Sequence, residues 1–447
     1  MMRDQVLALI KEAGIVGAGG AGFPAHVKLS AAADTIIVNG AECEPLLRVD
    51  QQLMEQLAEK MVAGLLAVIA VTGAQEGLIA LKSKYKQAIN ALEGQIANKP
   101  IRIKILGDFY PAGDEHVTVY EATGRLVPQG GIPLKVNCIV INAETLINIA
   151  DALAGKPVTH TFVTITGEVS QPMTIRLPVG TSVAEALAIA GRRDLTGMAV
   201  IDGGPMMGKF VKDWNQPITK TSKGLIVLPA GHRLVRKRQL SLDRIMKQAK
   251  TACMQCRYCT DLCPRYLLGH RLEPHRIMQA VKYLNVTDEI MKMAFACSEC
   301  GVCEQYACIM GLSPREVNAF LKRELGKAGA KPNAAPDGQV RHAMQPDRKV
   351  PVKRLISRLD LSGYDRYAPL HLDDHAVGAV QITLRQHVGA PSRPCVREGQ
   401  LVRQGEQIAT IPDGALGANI HASIDGIVTA VSDAMIAISA REGNSQL

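Results

Sequence analysis

The sequence predicts a multidomain α/β protein with a cysteine-rich helical region and an all-β C-terminal part. Three observations carry that reading. Residues 1–155 alternate helical periodicity with short β-branched runs, the pattern of helices layered on a sheet. Eight of the eleven cysteines fall between positions 253 and 308. From about residue 375, short alternating segments are separated by Gly389, Gly399, Gly405, Gly414, Gly417 and Gly426, which fits a small barrel or sandwich.

In the first domain, Thr35-Ile-Ile-Val-Asn39, Ile101-Arg-Ile-Lys-Ile-Leu106 and Val136-Asn-Cys-Ile-Val-Ile-Asn142 read as strands, with helical segments at 50–70 and 84–96. The longest apolar stretch, Met61 to Gly73, is too short to span a bilayer and predicts a buried helix. Residues 156–230 change character. Thr161–Gly167 and Thr174–Pro178 read as strands, and Ser182 caps a helix running to Ala190. That order fits a small β-grasp-like module. His232, Arg233, Arg236, Lys237, Arg238, Arg244, Lys247 and Lys250 then make a basic stretch, read as a solvated linker or the rim of an electron-transfer docking face. Residues 327–350, rich in Gly, Ala, Pro and Lys, read as a linker. The predicted domains are 1–155, 156–230, 245–326 and 370–447.

Composition bounds the function. A chain of 447 residues with 47% apolar and 21% charged residues is ordinary globular protein, not collagen, mucin stalk or coiled coil. No apolar run reaches the length of a membrane span. The N-terminal segment lacks the long apolar core and cleavage site of a secretory signal, so a cytoplasmic protein is expected. Net charge is +9, but aromatic residues make up only 4%, which argues against a single-strand stacking platform. Local basic linkers account for the excess, and no nucleic-acid partner is expected.

The cysteines carry the chemistry. Cys253-x2-Cys256-x2-Cys259-x3-Cys263-Pro264 has the spacing of the bacterial ferredoxin run, in which the fourth cysteine ligates the other cluster. The second run, Cys297-x2-Cys300-x2-Cys303-x4-Cys308, has one extra residue before its last cysteine and no proline directly after it. The expected [4Fe–4S] ligand sets are therefore crossed: Cys253, Cys256, Cys259 and Cys308 for one cluster, Cys297, Cys300, Cys303 and Cys263 for the other. Zinc also uses Cys-x2-Cys pairs, but four ligands suffice and a third evenly spaced cysteine adds nothing.

Gly14-Ile-Val-Gly17-Ala-Gly19-Gly20-Ala-Gly22-Phe23-Pro24, followed by Lys28, would let backbone N–H groups approach a phosphate. It follows no convincing strand, so it is not the usual dinucleotide fingerprint, and a turn without a ligand stays open on spacing alone.

Other segments give this loop a context. Gly17-Ala-Gly-Gly-Ala-Gly-Phe-Pro24 with Lys28, Asn39-Gly-Ala-Glu42-Cys-Glu44-Pro45, Tyr110-Pro-Ala-Gly113-Asp-Glu115 and Asn142-Ala-Glu144-Thr145 together resemble the flavin domain shared by the NADH-oxidising subunit of complex I and the C subunit of Rnf complexes. Thr166-Gly-Glu-Val169 and Gly203-Gly-Pro-Met-Met-Gly208 resemble the β-grasp (SLBB) module of those proteins. His387-Val-Gly-Ala-Pro391 and His421-Ala-Ser-Ile-Asp-Gly426 resemble the Rnf barrel-sandwich segment. In the Rnf subunit that segment precedes the flavin domain; here it is last, and no long repetitive tail follows. This order resembles the cobalamin reductases of propanediol-utilisation microcompartments.

The resemblance implies an α/β flavin-binding domain, an SLBB module, a two-cluster ferredoxin-like helical domain and a barrel-sandwich domain. It implies an oxidoreductase that uses NADH, FMN and two [4Fe–4S] clusters to reduce cobalamin for a partner cobalamin adenosyltransferase. The implied location is the cytoplasm, inside a bacterial microcompartment among its shell or cargo proteins. The competing readings are the electron-input subunit of an Rnf-like membrane complex, and an electron wire with a vestigial flavin site.

Residue by residue, the resemblance gives the FMN phosphate to Gly17, Gly19, Gly20 and Gly22, with Lys28 neutralising it. It gives the isoalloxazine and ribityl chain to Asn39, Glu42, Asn142 and Thr145, with Tyr110 and Gly113 lining the flavin. Phe23, Glu44 and Glu115 would face the nicotinamide nucleotide; for the carboxylates Glu42, Glu44 and Glu115 the bland alternative is solvated surface. Ala18 stands where the complex I loop commonly has arginine, which implies a weaker hold on the phosphate. The stretch Pro412–Asn419 lacks the lysine of a lipoyl or biotinyl carrier, so a carrier arm is rejected. His421 is read as packing in preference to a corrin ligand, Cys43 and Cys138 as core, and Met206 and Met207 as packing.

Overall fold

The computed structural model describes residues 2–283, 288–335 and 338–441. The first domain is built from α1 (Arg3–Glu12), α2 (Ala25–Leu29), β1 (Thr35–Gly40), α3 (Val49–Gln56), α4 (Ala58–Thr72), β2 (Glu76–Lys82), α5 (Lys86–Ile96), β3 (Ile101–Leu106), β4 (Phe109–Tyr110), α6 (Glu115–Thr123), β5 (Cys138–Asn142) and α7 (Ala143–Leu153). Strands β3-β2-β1-β5 form a parallel sheet in that order. Ile36, Ile37 and Val38 of β1 are all fully buried, because helices cover both faces of a parallel sheet and its central strands must be apolar throughout. Helices α1, α4, α5 and α7 pack on one face and α6 on the other. Strand β1 has β2 on one side and β5 on the other, so the carboxyl ends of β1 and β5 flank the topological switch point, where open α/β sheets bind ligands.

Three details differ from the sequence reading. The helical segment at 50–70 is two helices that meet at Leu57. The strand expected from Val136 begins at Cys138, because Pro133–Val136 forms a 3-10 turn and Asn137 takes a left-handed φ of 55°. Strand β2 went unread: its apolar run follows α4 after only Gly73, Ala74 and Gln75, and merges with it in the sequence.

The β-grasp module contains β6 (His160–Gly167), β7 (Met173–Pro178), α8 (Val183–Ile189), β8 (Met198–Asp202), β9 (Lys209–Phe210) and β10 (Gly224–Pro229). Ser182 caps α8 as expected, accepting from the Glu185 amide at 3.1 Å. The β6–β7 hairpin and the parallel pairing of β10 with β6 give the grasp topology.

The cysteine region is helical: α9 (Arg233–Arg238), α10 (Leu242–Ala252), α11 (Tyr258–Asp261), α12 (Pro264–Leu267), α13 (Pro274–Tyr283), α14 (Asp288–Lys292) and α15 (Pro314–Lys327). The described part of 327–350 is no free linker. The Gln339 side chain accepts from the Gln129 amide at 3.0 Å and donates to the carbonyls of Val127 and Leu268 at 3.1 and 3.0 Å. Strand β11 (Val350–Pro351) then pairs with β4, and α16 (Val352–Arg358) packs on Tyr110 and Leu46. Strand β12 (Leu370–His371) pairs with β7, so residue 370 still belongs to the grasp sheet.

The barrel-sandwich follows, with β13 (Ala379–Thr383), β14 (Arg393–Pro394), β15 (Leu401–Val402), β16 (Gln407–Thr410), β17 (Ile420–His421), β18 (Gly426–Val431) and β19 (Met435–Ala440). These form a four-stranded sheet β13-β19-β18-β15 and a three-stranded sheet β14-β16-β17 around a shared core. Among the described residues no helix is long and apolar enough to cross a membrane.

Candidate functional site

The glycine loop joins α1 to α2 and lies beside the switch point. Gly17 closes it by donating to the Phe23 carbonyl at 2.9 Å and accepting from the Gly22 amide at 3.1 Å. The Thr145 hydroxyl, at the start of α7, accepts from the Ala18 amide at 3.0 Å. An added Cβ on Gly19 would lie 3.5 Å from Asn142 Cβ, so loop and crevice are in contact. Gly20 is exposed at φ +101° with open space where a Cβ would stand. That cradle of glycines at the sheet's carboxyl edge fits a phosphate group. Ala18 is fully buried, so the loop packs inward at this position.

Behind the loop lies a network that the sequence reading missed in part. Asn142 caps α7 through the Glu144 amide at 3.0 Å and donates to Asp50 Oδ2 at 2.8 Å. The Asp50 amide donates to Glu42 Oε2. Lys223, from the β-grasp module, forms an ion pair with Glu144. Burial, and then the Asp50 charge, pushes the Glu42 carboxyl up to about 8, and burial pushes Lys223 down to about 8. Asp50 Oδ1 is buried without a partner. Asp50, Glu144 and Lys223 carry no periodic signal; Glu144 and Lys223 meet across a domain interface, and Asp50 joins Glu42 and Asn142 from different segments.

Asn39 turns toward the protein. Its Nδ2 donates to the Gly113 carbonyl at 2.9 Å, and its Oδ1 accepts from the Ala41 amide at 3.3 Å. A Cβ on Gly113 would lie 3.0 Å from Cys43 Sγ, a tight contact, and burial pushes this thiol up to about 12, so it stays protonated. Cys138 is fully buried, as expected.

Three expected nucleotide contacts have protein partners here. Lys28 Nζ pairs with Glu115 Oε1 at 3.1 Å, bringing the expected phosphate cation and the expected nicotinamide carboxylate together. Glu44 accepts from the Met206 and Met207 amides at 2.9 and 3.0 Å, so the Gly203–Gly208 loop of the β-grasp module caps it. Burial raises its carboxyl to about 7. Phe23 is half-buried at the end of the glycine loop.

The Tyr110–Glu115 segment ties this crevice to the cysteines. The buried Tyr110 hydroxyl donates to the Cys300 carbonyl at 2.7 Å. Asp114 caps α6 and is paired with Arg265 at 2.9 Å, two residues after Cys263. His116 and His270 meet at 3.3 Å across the same seam; burial lowers them to about 4 and about 3, so both are neutral.

The eight cysteines fall into two groups. Cys263, Cys297, Cys300 and Cys303 line one cavity. Cys259 has Cys308, Cys253 and Cys256 as its strongest cysteine neighbours. In the matching Cys-x2-Cys loops, Gln255 and Glu299 have φ of 57° and 59°, and the next pair, Arg257 and Gly301, have 67° and 78°. The Glu299 and Leu312 amides donate to the sulfurs of Cys297 and Cys308 at 3.4 and 3.3 Å. Such N–H···S contacts suit thiolates that hold a cluster. The extra residue before Cys308 is absorbed by a π-helical turn, Val302–Ala307, where the first run has the short helix α11. Among the described residues no three ligating side chains converge on a point for one metal ion; Cys263, Cys297, Cys300 and Cys303 instead border a small cavity.

The basic stretch is partly built in. Arg238 donates to the carbonyls of Pro205 and Gly208, and Lys237 to that of Glu304 at 2.6 Å. Arg233, Arg236, Arg244, Lys247 and Lys250 remain exposed. His421 is buried in the barrel, where burial pushes it down to about 3.

Comparison with known proteins matches this division. Residues 10–151 match the Nuo51 FMN-binding domain, 162–210 the SLBB domain, 252–313 the 4Fe-4S dicluster domain and 374–444 the RnfC barrel sandwich hybrid domain. The chain is 46% identical over 431 residues to cobalamin reductase PduS of Citrobacter freundii, covering 96% of this chain and 95% of that protein. It belongs to the PduS cobalamin reductase family. The PduS of Salmonella typhimurium is likewise 46% identical, over 439 residues, with 97% and 96% coverage. A more distant relative is the C subunit of the proton-translocating ferredoxin:NAD(+) oxidoreductase complex of Clostridium ljungdahlii, 32% identical over 269 residues, or 59% of this chain and 56% of that one. The PduS relatives therefore share nearly the whole chain, and the Rnf-type relative only part of it.

Proposed function

We propose that this chain oxidises NADH at the glycine-loop crevice and delivers single electrons through its two cysteine sets to cobalamin, serving a cobalamin adenosyltransferase within a propanediol-utilisation microcompartment. The observation that carries the reading is the seam at Tyr110. One short segment contributes to the flavin crevice and bonds to the backbone of an inner cluster cysteine. FMN supplies the exchange between two-electron and one-electron chemistry, and the clusters supply single-electron storage.

The chain's own residues do the rest. Gly17, Gly19, Gly20 and Gly22 shape the phosphate cradle, and Lys28 offsets its charge. Glu42, Asp50 and Asn142 set the polarity behind the isoalloxazine, with burial and the Asp50 charge raising the Glu42 carboxyl above its ordinary value. Glu115 stands beside Lys28 at the mouth, where a nucleotide would meet both. Tyr110, Asp114 and Arg265 hold the crevice against the set of Cys263, Cys297, Cys300 and Cys303, which is buried. Cys256 is exposed, so the other set is the outlet.

The test is anaerobic purification with iron, sulfide and flavin analysis, followed by NADH oxidation with cobalamin, alone and with an adenosyltransferase. Turnover only with membrane partners would favour an Rnf-like electron-input subunit. Iron without flavin would favour a passive wire.

A further inference from the structure

A single buried lysine joins three domains at the glycine loop. Lys220 lies in the segment before β10 and is 4% exposed. Its Nζ donates to the Gly14 carbonyl at 2.7 Å and to the Asn419 carbonyl at 2.9 Å, and its amide donates to Gln386 Oε1 at 3.0 Å. Gly14 opens the loop of the first domain. Asn419 and Gln386 belong to the barrel-sandwich. The barrel sits so close that a Cβ on Gly14 would lie 2.2 Å from the Asn419 oxygen, and φ at Gly14 is +67°. Two carbonyl dipoles brought this near repel, and the Lys220 amine between them, which burial pushes down to about 7, turns the repulsion into two hydrogen bonds that are charge-assisted when it is protonated.

The far end of the loop is tied to the same neighbours. The Val388 amide donates to the Gly22 carbonyl at 3.0 Å. A Cβ on Gly22 would meet Thr221 at 3.2 Å and the His387 backbone at 3.3 Å. With Ala18 held by Thr145, the loop is fixed at its start, middle and end from different elements.

We propose that Lys220 is a positioning residue for flavin binding, clamping the glycine loop between the β-grasp module and the C-terminal barrel. The barrel then has a role that needs no carrier lysine: it is the outer wall that gives the phosphate cradle its shape. The proposal rests on reading this loop as the FMN phosphate cradle, and its two measurements separate the clamp from that reading.

The experiment compares full-length wild type with Lys220→Met, both reconstituted anaerobically. FMN affinity is measured by titrating the deflavinated protein, and loop order by amide hydrogen exchange. The clamp predicts an FMN dissociation constant raised about ten-fold or more. It also predicts faster exchange at residues 14–22, an altered visible circular dichroism of the flavin at saturation, and unchanged iron content. Val388→Pro, which removes the donor to Gly22 without touching Lys220, should act in the same direction and keeps the test open should Lys220→Met fail to fold. Unchanged exchange at 14–22 in foldable variants would overturn the clamp. Faster exchange with unchanged FMN affinity would overturn the role in flavin binding, and would count against the cradle without touching NADH-linked cobalamin reduction.

Discussion

The Tyr110 hydroxyl donates a 2.7 Å hydrogen bond to the carbonyl oxygen of Cys300. The bond crosses from the crevice of the parallel sheet to the cavity of the second cysteine run. Tyr110→Phe keeps the buried ring and removes one neutral bond, about 0.5–1.5 kcal/mol. Electron transfer from flavin to clusters should slow roughly two- to ten-fold, with iron and FMN content unchanged. Stopped-flow comparison of flavin reduction and cluster bleaching after mixing with NADH reads this directly. Equal rates in both proteins would remove Tyr110 from the coupling.

The crossed ligand sets predict a specific pattern of iron loss. The intact chain should hold about eight irons in two four-iron clusters. Cys263→Ser, in the first run, should disable the cluster of the second run, and Cys308→Ser the reverse. Iron analysis with electron paramagnetic resonance of each variant distinguishes this from uncrossed ligation, in which each substitution damages its own run.

The cysteine pattern was legible because ligand spacing is local and chemical. The extra residue before Cys308 showed in the sequence, but not its resolution as a π-helical turn, since that depends on what Val302 packs against. The glycine loop was legible as a run of tight turns, yet the side chains that hold it were not. Lys220, Lys223 and Arg265 are single basic residues without periodicity, and each meets its partner across a domain boundary. Glu44 illustrates the same limit. Its motif pointed to a nucleotide, while its carboxylate is capped by two amides of a loop roughly 160 residues away in sequence, a contact that no local pattern encodes. Strand β2 was lost because a buried parallel strand and the end of a buried helix have the same composition.

Lys28 and Glu115 form a partly exposed pair at 3.1 Å, with side chains 30% and 47% exposed. Such a pair adds little stability, so its substitution isolates function. Glu115→Gln should lower NADH oxidation about ten- to a hundred-fold, the cost of one charge-assisted bond, while cluster reduction by an artificial donor is unaffected. Lys28→Ala should lower FMN occupancy and leave iron unchanged. Full NADH oxidation by Glu115→Gln at full flavin loading would return Glu115 to ordinary surface.

Buried histidines give the protein an acid limit. His160 and His421 are pushed down to about 4 and about 3 by burial, from an ordinary value of 6.5. Below pH 6.5 the unfolded chain takes up protons that the folded chain refuses. Stability is therefore intact above 6.5 and falls as pH drops toward 4, by about 1 kcal/mol per pH unit for each group. His421→Gln should flatten this slope in thermal unfolding of the flavin-free protein between pH 7 and 4.5. An unchanged slope would mean that His421 titrates normally in the folded state.

The most direct measurement is single-turnover reduction of cobalamin by anaerobically reconstituted protein carrying both FMN and iron, with NADH as the sole reductant and the corrin spectrum as the readout. The account predicts NADH-dependent appearance of reduced cobalamin, abolished by removing FMN and strongly diminished in Cys263→Ser. Reduction that survives without flavin, or NADH oxidation by fully loaded protein that leaves the corrin spectrum unchanged, would contradict it.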